Sequence, residues 1–333
     1  MVLSRKELFS LIILIAVIGF GTFKYFTREY TETRSRYLMD TIVEITASSK
    51  SKLVGTEIDS VFNFINHLQD KLDEYNPNSL ISKINRHETR KIDVDVYNLL
   101  VIADSLYRMT DGRFDISVKP VWDLWGFNTS NPMVPDSVTI NNRLSFVGFH
   151  KIKYTKDHIH LPDSMQVTFG ALAKGYILDQ AREYLRKREI FKGYLNCRSS
   201  MTFFGNKLPP LVYIQHPRNP DDIIASFRVN NLSVGTSGDY QQFFEYDNKR
   251  YHHLINAITG MPVEDIYSVT VTNPSAAWAD GLSTAFFLMN SEKAIDVAKA
   301  ISNTNAVIYF RQNDATVSLK TEGMKTYGLS EKL

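Results

Sequence analysis

Four short segments of the 333-residue chain carry side chains suited to chemistry. In Tyr251-His252-His253-Leu254-Ile255-Asn256, a histidine offers a general base near neutral pH. Shortly before it stands Gly235-Thr236-Ser237-Gly238-Asp239-Tyr240. Its two glycines permit close backbone approach to a ligand, and its hydroxyl and N–H groups suit a phosphate or a ribose. Taken alone, that stretch also reads as an ordinary turn, and the histidine pair as structural. In Trp278-Ala279-Asp280-Gly281-Leu282-Ser283-Thr284, Asp280 and Thr284 are four apart, so a helix places them on one face. The surroundings are apolar, and a bare buried carboxylate is costly. Spacing fits two resolutions equally. A hard cation such as Mg²⁺ sits on Asp280 and the Thr284 hydroxyl, or the carboxylate hydrogen-bonds backbone groups at a helix start.

The third segment, Gly170-Ala171-Leu172-Ala173-Lys174-Gly175-Tyr176-Ile177-Leu178-Asp179, has small residues that let a strand turn directly into a helix. A helix N-terminus attracts phosphate, and Lys174 adds a mobile positive charge. The spacing is not that of a nucleotide-triphosphate P-loop, and no GxGxxG follows a strand. The fourth is Thr110-Asp111-Gly112-Arg113-Phe114-Asp115, continuing to Leu124-Trp125-Gly126-Phe127. Asp-Gly marks a turn. The aromatics suit either a flat slot for a ring system or the core.

Positioning these segments requires strands and helices in alternation. Leu38–Ala47 alternates apolar and polar residues as a strand does. Val61, Ile65, Leu68 and Leu72 predict an amphipathic helix ending near Asp73, and Leu99, Ile102 and Leu106 a second. A short strand over Gln166–Phe169 leads into a helix over Ala171–Arg188. Late in the chain, Ile266–Thr272 reads as a strand, Ala276–Met289 as a buried helix and Val307–Phe310 as the final strand. The pattern predicts α+β or mixed α/β. An apolar run from Leu8 to Phe23 lies between Arg5 and Lys6 on one side and Lys24 and Arg28 on the other. Residues 1–26 therefore read as an uncleaved signal anchor, with a cleaved signal peptide as the alternative, and either takes the rest of the chain out of the cytoplasm. Residues 27–35 read as a tether and 36–333 as one catalytic unit.

Composition narrows the partners. The 38 Lys+Arg against 36 Asp+Glu give no global field for nucleic acid, so partners are found by local sites. The single cysteine, Cys197, excludes an internal disulfide and a multi-cysteine zinc site, and reads as a small buried residue.

Taken in order, these segments resemble the ApbE family of FAD:protein FMN transferases from about Arg36 onward. Tyr37–Thr41 is similar to the family's opening Met-Gly-Thr strand, and Leu72–Ser79 to its Tyr-x-Pro-x-Ser segment. Thr110–Asp115 with Leu124–Phe127, Gly170–Asp179, Thr236–Tyr240, Tyr251–Ile255 and Ala279–Thr284 match further elements in sequence order. The resemblance implies one catalytic unit of two interleaved sheet-plus-helix subdomains, T-fold-like, behind the N-terminal helix. It implies Mg²⁺-dependent transfer of FMN from FAD to a threonine or serine of a partner protein, with release of AMP. Hydrolysis of FAD to FMN and AMP, or FAD binding without catalysis, are the alternatives. Met39, Tyr75, Trp125 and Phe127 would lie near the flavin or adenine rings; Lys174, Asp179, Thr236 and Ser237 would contact FAD. Asp280, Thr284 and a main-chain carbonyl near Ala171 would hold Mg²⁺, and His253 would deprotonate the acceptor. The partner would be an exported or membrane redox protein, met at the periplasmic face of the inner membrane. The chain departs from the family pattern at Asp40, Thr168, Arg198 and Asn256.

Overall fold

The computed structural model describes residues 4–332. Helix α1 (Arg5–Phe26) starts on a capping box in which Ser4 and Glu7 satisfy each other's backbone N–H groups, and none of its residues is buried. Strands β1 (Tyr30–Leu38) and β2 (Thr41–Ser49) form a hairpin, with Leu38 paired to Thr41. The single strand expected over Leu38–Ala47 is thus broken by a two-residue turn. Met39 and Asp40 both have positive φ, 54° and 56°, the geometry that matches strand twist in tight hairpins. Aspartate tolerates that region, which accounts for Asp40 where the family pattern has glycine. The expected tether shrinks to Thr27–Glu29, because Tyr30–Ser35 pair with Glu44–Ser49.

Helices α2 (Val54–Leu72), α3 (Leu80–Asn85) and α4 (Val94–Met109) follow, then the short α5 (Lys119–Trp122) and α6 (Ser137–Leu144). A small hairpin, β3 (Lys153–Tyr154) with β4 (Ile159–His160), precedes α7 (Ala173–Arg186). Strands β5 (Lys192–Asn196), β6 (Ser200–Phe204), β7 (Leu211–Gln215), β8 (Ile223–Arg228) and β9 (Ser233–Gly238) lead to the hairpin β10 (Phe243–Tyr246)–β11 (Lys249–His252). The chain continues with β12 (Ile266–Asn273), α8 (Ala276–Phe287), α9 (Ser291–Ala300), β13 (Asn305–Gln312), β14 (Ala315–Lys320), α10 (Glu322–Thr326) and β15 (Ser330–Glu331). Val307–Phe310 is therefore followed by a further sheet strand, β14.

One eight-stranded antiparallel sheet organises the molecule, in the order β1-β2-β5-β6-β9-β12-β13-β14. Alternation along β13 shows what covers each face. Ala306 and Ile308 join the main core formed with α2, α4, α7 and α8, whereas Val307 and Tyr309 join a second core under the three-stranded sheet β15-β8-β7. A third cluster gathers the aromatic loops around Trp125. The α+β character expected from the sequence is observed. One expected strand is absent: Gln166–Phe169 pairs with no strand. The buried Asn85 side chain substitutes for a neighbour there, donating to the Val167 carbonyl (2.9 Å) and accepting from its N–H (2.8 Å).

Candidate active site

Helix α8 begins where it does because two side chains take its free N–H groups. Ser275 caps it by accepting from Trp278 N–H, and Asp179 on α7 accepts from Ala276 (2.9 Å) and Ala277 (3.0 Å). Asp179 also accepts from the Ser275 hydroxyl and pairs with Arg182. The carboxylate is committed to joining α7 to α8, not left for a nucleotide.

Two glycines let α8 approach its neighbours closely. A Cβ on Gly175 would stand 2.1 Å from the Ala276 carbonyl oxygen, and one on Gly235 would stand 2.4 Å from Ala279 backbone atoms. Gly235-Thr236-Ser237-Gly238 is accordingly not a turn but the central strand β9, paired to β6 and β12 on its two sides. Its missing side chains make room for a helix.

Asp280 and Thr284 lie one turn apart on the face of α8 that meets β9. The Asp280 backbone lies against Gly235, and the Thr284 hydroxyl is 3.0 Å from Ser237, which also bonds Ser283. The Asp280 carboxylate is 8% exposed and accepts from Gly175 N–H (2.9 Å) and the Ser200 hydroxyl (2.8 Å). Both donors are neutral, and desolvation raises its pKa above the ordinary carboxylate range. Because Gly175 N–H is turned to Asp280, no donor among the described residues takes the Ala171 carbonyl. Hard oxygen donors around one under-compensated carboxylate fit Mg²⁺, which relies on substrate phosphates for the rest of its charge.

Lys174, on the first turn of α7, is half-buried and has no ion-pair partner among the described residues. Its charge acts on both Asp280 and His253. His253 stands just past β11, where its Nδ1 meets the Gln242 carbonyl at 3.1 Å. That contact assigns the proton to Nδ1 and leaves Nε2 as an acceptor. The ring keeps some surface open to solvent, yet protein surrounds most of it. This desolvation, aided by His252 and Lys174, pushes it down to about 4, so it is neutral at physiological pH. Cys197 is buried near Asp280 with its thiol on the Ser200 carbonyl (3.2 Å), and burial pushes it up to about 12.

The aromatic residues divide. Trp125 is fully buried, donates to the Gly260 carbonyl (3.1 Å) and stacks on Phe127, so it is core. Met39 is buried at the β1–β2 turn, where its N–H donates to Gln69 (2.7 Å). Thr236 is bonded to Thr270 across the strand pair (2.9 Å). Tyr75 is half exposed and lies under the Lys119 ammonium, 4.8 Å from the ring centre. Burial, with Glu74 and Asp123, raises its phenol above the ordinary value.

Sequence reasoning missed several partners. Buried Lys119 pairs with Asp123 (2.9 Å) and Glu74 (3.4 Å), and Glu74 reaches Thr168 beside the loop into α7. Gln242 ties this rim to the base: its side chain donates to the Phe127 carbonyl (3.2 Å) and the Asn128 side chain, while its carbonyl holds His253. Only the position of Gln242 just after the Gly-Asp-Tyr run hinted at it. The backbone bears on two of the departures as well. Asn256 accepts from Ile258 N–H (2.9 Å) in a tight turn, a task its amide oxygen performs as well as a carboxylate. Arg198 has φ 67° in the β5–β6 loop, the left-handed region that favours glycine.

Cavity size alone does not mark this site. A cavity of about 410 Å³ is lined by Asp123, Leu124, Arg143 and Gln166, beside the Tyr75–Lys119 rim. Another, about 520 Å³, lies behind the hairpin, lined by Arg218, Asp239, Tyr251 and Arg311. Neither is lined by Lys174, Asp280 or Thr284. The side-chain chemistry is therefore the guide to this site.

The family model described as "ApbE family" matches residues 39–308. A Vibrio cholerae protein named FAD:protein FMN transferase is 29% identical over 265 residues, covering 75% of this chain and 77% of its own length. A Haemophilus influenzae protein of the same name is 28% identical over 305 residues, covering 84% of each. The crystal structure of the ApbE protein from Thermotoga maritima superposes with a TM-score of 0.82 at 26% identity, covering 90% of this chain and 99% of that one. The flavin transferase ApbE from Vibrio cholerae shares the fold, with a TM-score of 0.79 at 24% identity over 90% and 100% of the two chains. The chain belongs to the ApbE family.

Proposed function

We propose that this protein transfers the FMN half of FAD to a threonine or serine hydroxyl of an acceptor protein and releases AMP. The name shared by the relatives supports flavin transfer to protein. The observation that carries the chemistry is the convergence of distant segments: the buried Asp280 of α8 accepts from Gly175 N–H, next to Lys174 on α7, and from the Ser200 hydroxyl.

The acceptor oxygen bonds to the FMN phosphorus as the bond to the bridging oxygen breaks, and AMP leaves with that oxygen. Nε2 of His253 takes the hydroxyl proton, its ring orientation fixed by Gln242. Lys174 and the N-terminus of α7 offer positive potential to the diphosphate. Asp280, the Thr284 hydroxyl and the Ala171 carbonyl would hold Mg²⁺. Bound there, the ion neutralises diphosphate charge and makes the phosphorus more electrophilic. The Tyr75–Phe127 rim would receive a ring of FAD.

Helix α1 has 22 residues, about 33 Å of rise, enough to cross a bilayer core. It serves as a signal anchor that holds the domain at the periplasmic face, where exported or membrane redox proteins are the acceptors. The test mixes the full chain in detergent with FAD, Mg²⁺ and candidate exported proteins. Flavin fluorescence on a denaturing gel and a mass gain of one FMN on the acceptor are expected. AMP release that is unchanged by every acceptor and leaves none labelled would show hydrolysis instead and sink the transferase reading.

A further inference from the structure

At the end of the large sheet where α1 enters, exposed apolar side chains and lysines lie together. Three loops meet there: the β2–α2 loop, the turn before β5 and the loop after β6. Ser48 pairs with Lys192, Gly193 pairs with Phe204, and Asn206 donates to the Gly193 carbonyl (3.1 Å), so the loops lie side by side. Each presents a large apolar side chain to solvent: Leu53 is 65% exposed, Phe191 58% and Leu208 83%. Lysines surround them. Glu29, just after α1, pairs with Lys192 at 2.7 Å and also feels the charges of Lys207 and Lys50. Lys52 lies 5.8 Å from the Tyr30 ring centre. Of the carboxylates at this end, Glu57 is held by Arg188 at 2.8 Å, and Glu189 lies exposed in the turn before β5. Lys50, Lys52 and Lys207 are left without an ion pair among the described residues.

Exposed apolar side chains within a ring of unpaired lysines match a membrane interface, where the apolar tips enter the headgroup layer and the ammonium groups meet phosphate. We propose that this end of the sheet docks on anionic phospholipid headgroups and fixes the orientation of the domain on the bilayer. The inference rests on α1 being a membrane anchor. Continuity favours lipid as the occupant: only Thr27–Glu29 separate α1 from β1, so this end must stand next to whatever surface α1 enters. The candidate active site is at the opposite end of the same strands, since Ser200, which holds Asp280, begins β6 and Phe204 ends it. Five residues of strand set the two apart by roughly 15 Å. Docking therefore turns the site away from the bilayer, towards acceptor segments that project into solution.

The test uses the full chain reconstituted into vesicles. A Leu208→Cys variant is labelled with an environment-sensitive fluorophore, and an Asp40→Cys variant reports the far end; the native Cys197 is buried and does not compete. With vesicles containing about one-third phosphatidylglycerol, the label at 208 shifts to the blue and is shielded from aqueous quencher, and the label at 40 is not. Raising salt to about 1 M, where screening acts within about 3 Å, or adding Lys50→Glu, Lys52→Glu and Lys207→Glu together, reverses the shift. A label at 208 as wet as the label at 40, or equal burial on purely neutral vesicles, overturns docking while leaving the anchor intact. Protein that fails to float with the vesicles at all overturns both.

Discussion

At the residue scale the unusual feature is a pair of titratable groups held away from their ordinary values in opposite directions. His253 is held down at about 4 and Asp280 is raised, both first by desolvation. On acidification the unfolded chain protonates its histidine first. The contribution of His253 to stability is therefore full above about pH 6.5 and is lost as the pH falls towards 4. His253→Gln removes that part of the pH slope in chemical denaturation. For the same reason the acid limb of the rate profile lies well below 6.5, and Lys174→Met, which removes a neighbouring cation, moves it upward. An acid limb at the ordinary histidine value would show that His253 is not the base. Asp280→Asn keeps an oxygen for Gly175 N–H and an amide that can donate to Ser200, so the fold survives. Transfer falls by at least about a hundredfold. Mg²⁺ with FAD raises the melting temperature of the native protein and leaves that of the variant unchanged; an equal rise in both sinks the metal assignment.

At the element scale, α8 is the part on which the site depends. It is seated by two glycines and capped by a carboxylate from α7. Gly235→Ala pushes a methyl group into the Ala279 backbone and costs about 1–3 kcal/mol in urea denaturation. Asp179→Ala leaves two N–H groups of α8 uncapped and costs about 1–2 kcal/mol, while the FAD dissociation constant of the folded fraction changes less than threefold. A larger loss of FAD affinity at unchanged stability would make Asp179 a ligand contact instead. The contrast explains why two glycine-bearing motifs, the Ala-Lys-Gly and Gly-Thr-Ser-Gly runs, read as ligand loops from spacing: a glycine that admits a helix and one that admits a phosphate leave the same mark in a sequence.

At the scale of the whole molecule, one antiparallel sheet separates the end that α1 enters from the end that bears the candidate site; with α1 as the proposed anchor, removing residues 1–26 abolishes flotation with vesicles but leaves transfer to a soluble acceptor within a few-fold. Flotation without α1 in physiological salt would assign the membrane affinity to the lysine-ringed end alone. The sequence by itself determined the elements whose periodicity is local: α2 from Val61 to Leu72, α8, and the apolar α1. It also marked the candidate residues, because Asp280, Thr284, Lys174 and His253 sit in short, recognisable runs. It did not reveal the hairpin turn at Met39-Asp40, since that pair lacks the glycine that usually marks a two-residue turn. Nor did it separate Trp125, a buried core residue, from Tyr75, a half-exposed one, because both are simply aromatic. The commitment of Asp179 to α8, the hold of Gln242 on His253 and the Glu74–Lys119–Asp123 rim were decided only by tertiary structure. Each joins atoms distant in sequence, and hydrogen bonding and desolvation depend on separations in space that no local pattern encodes.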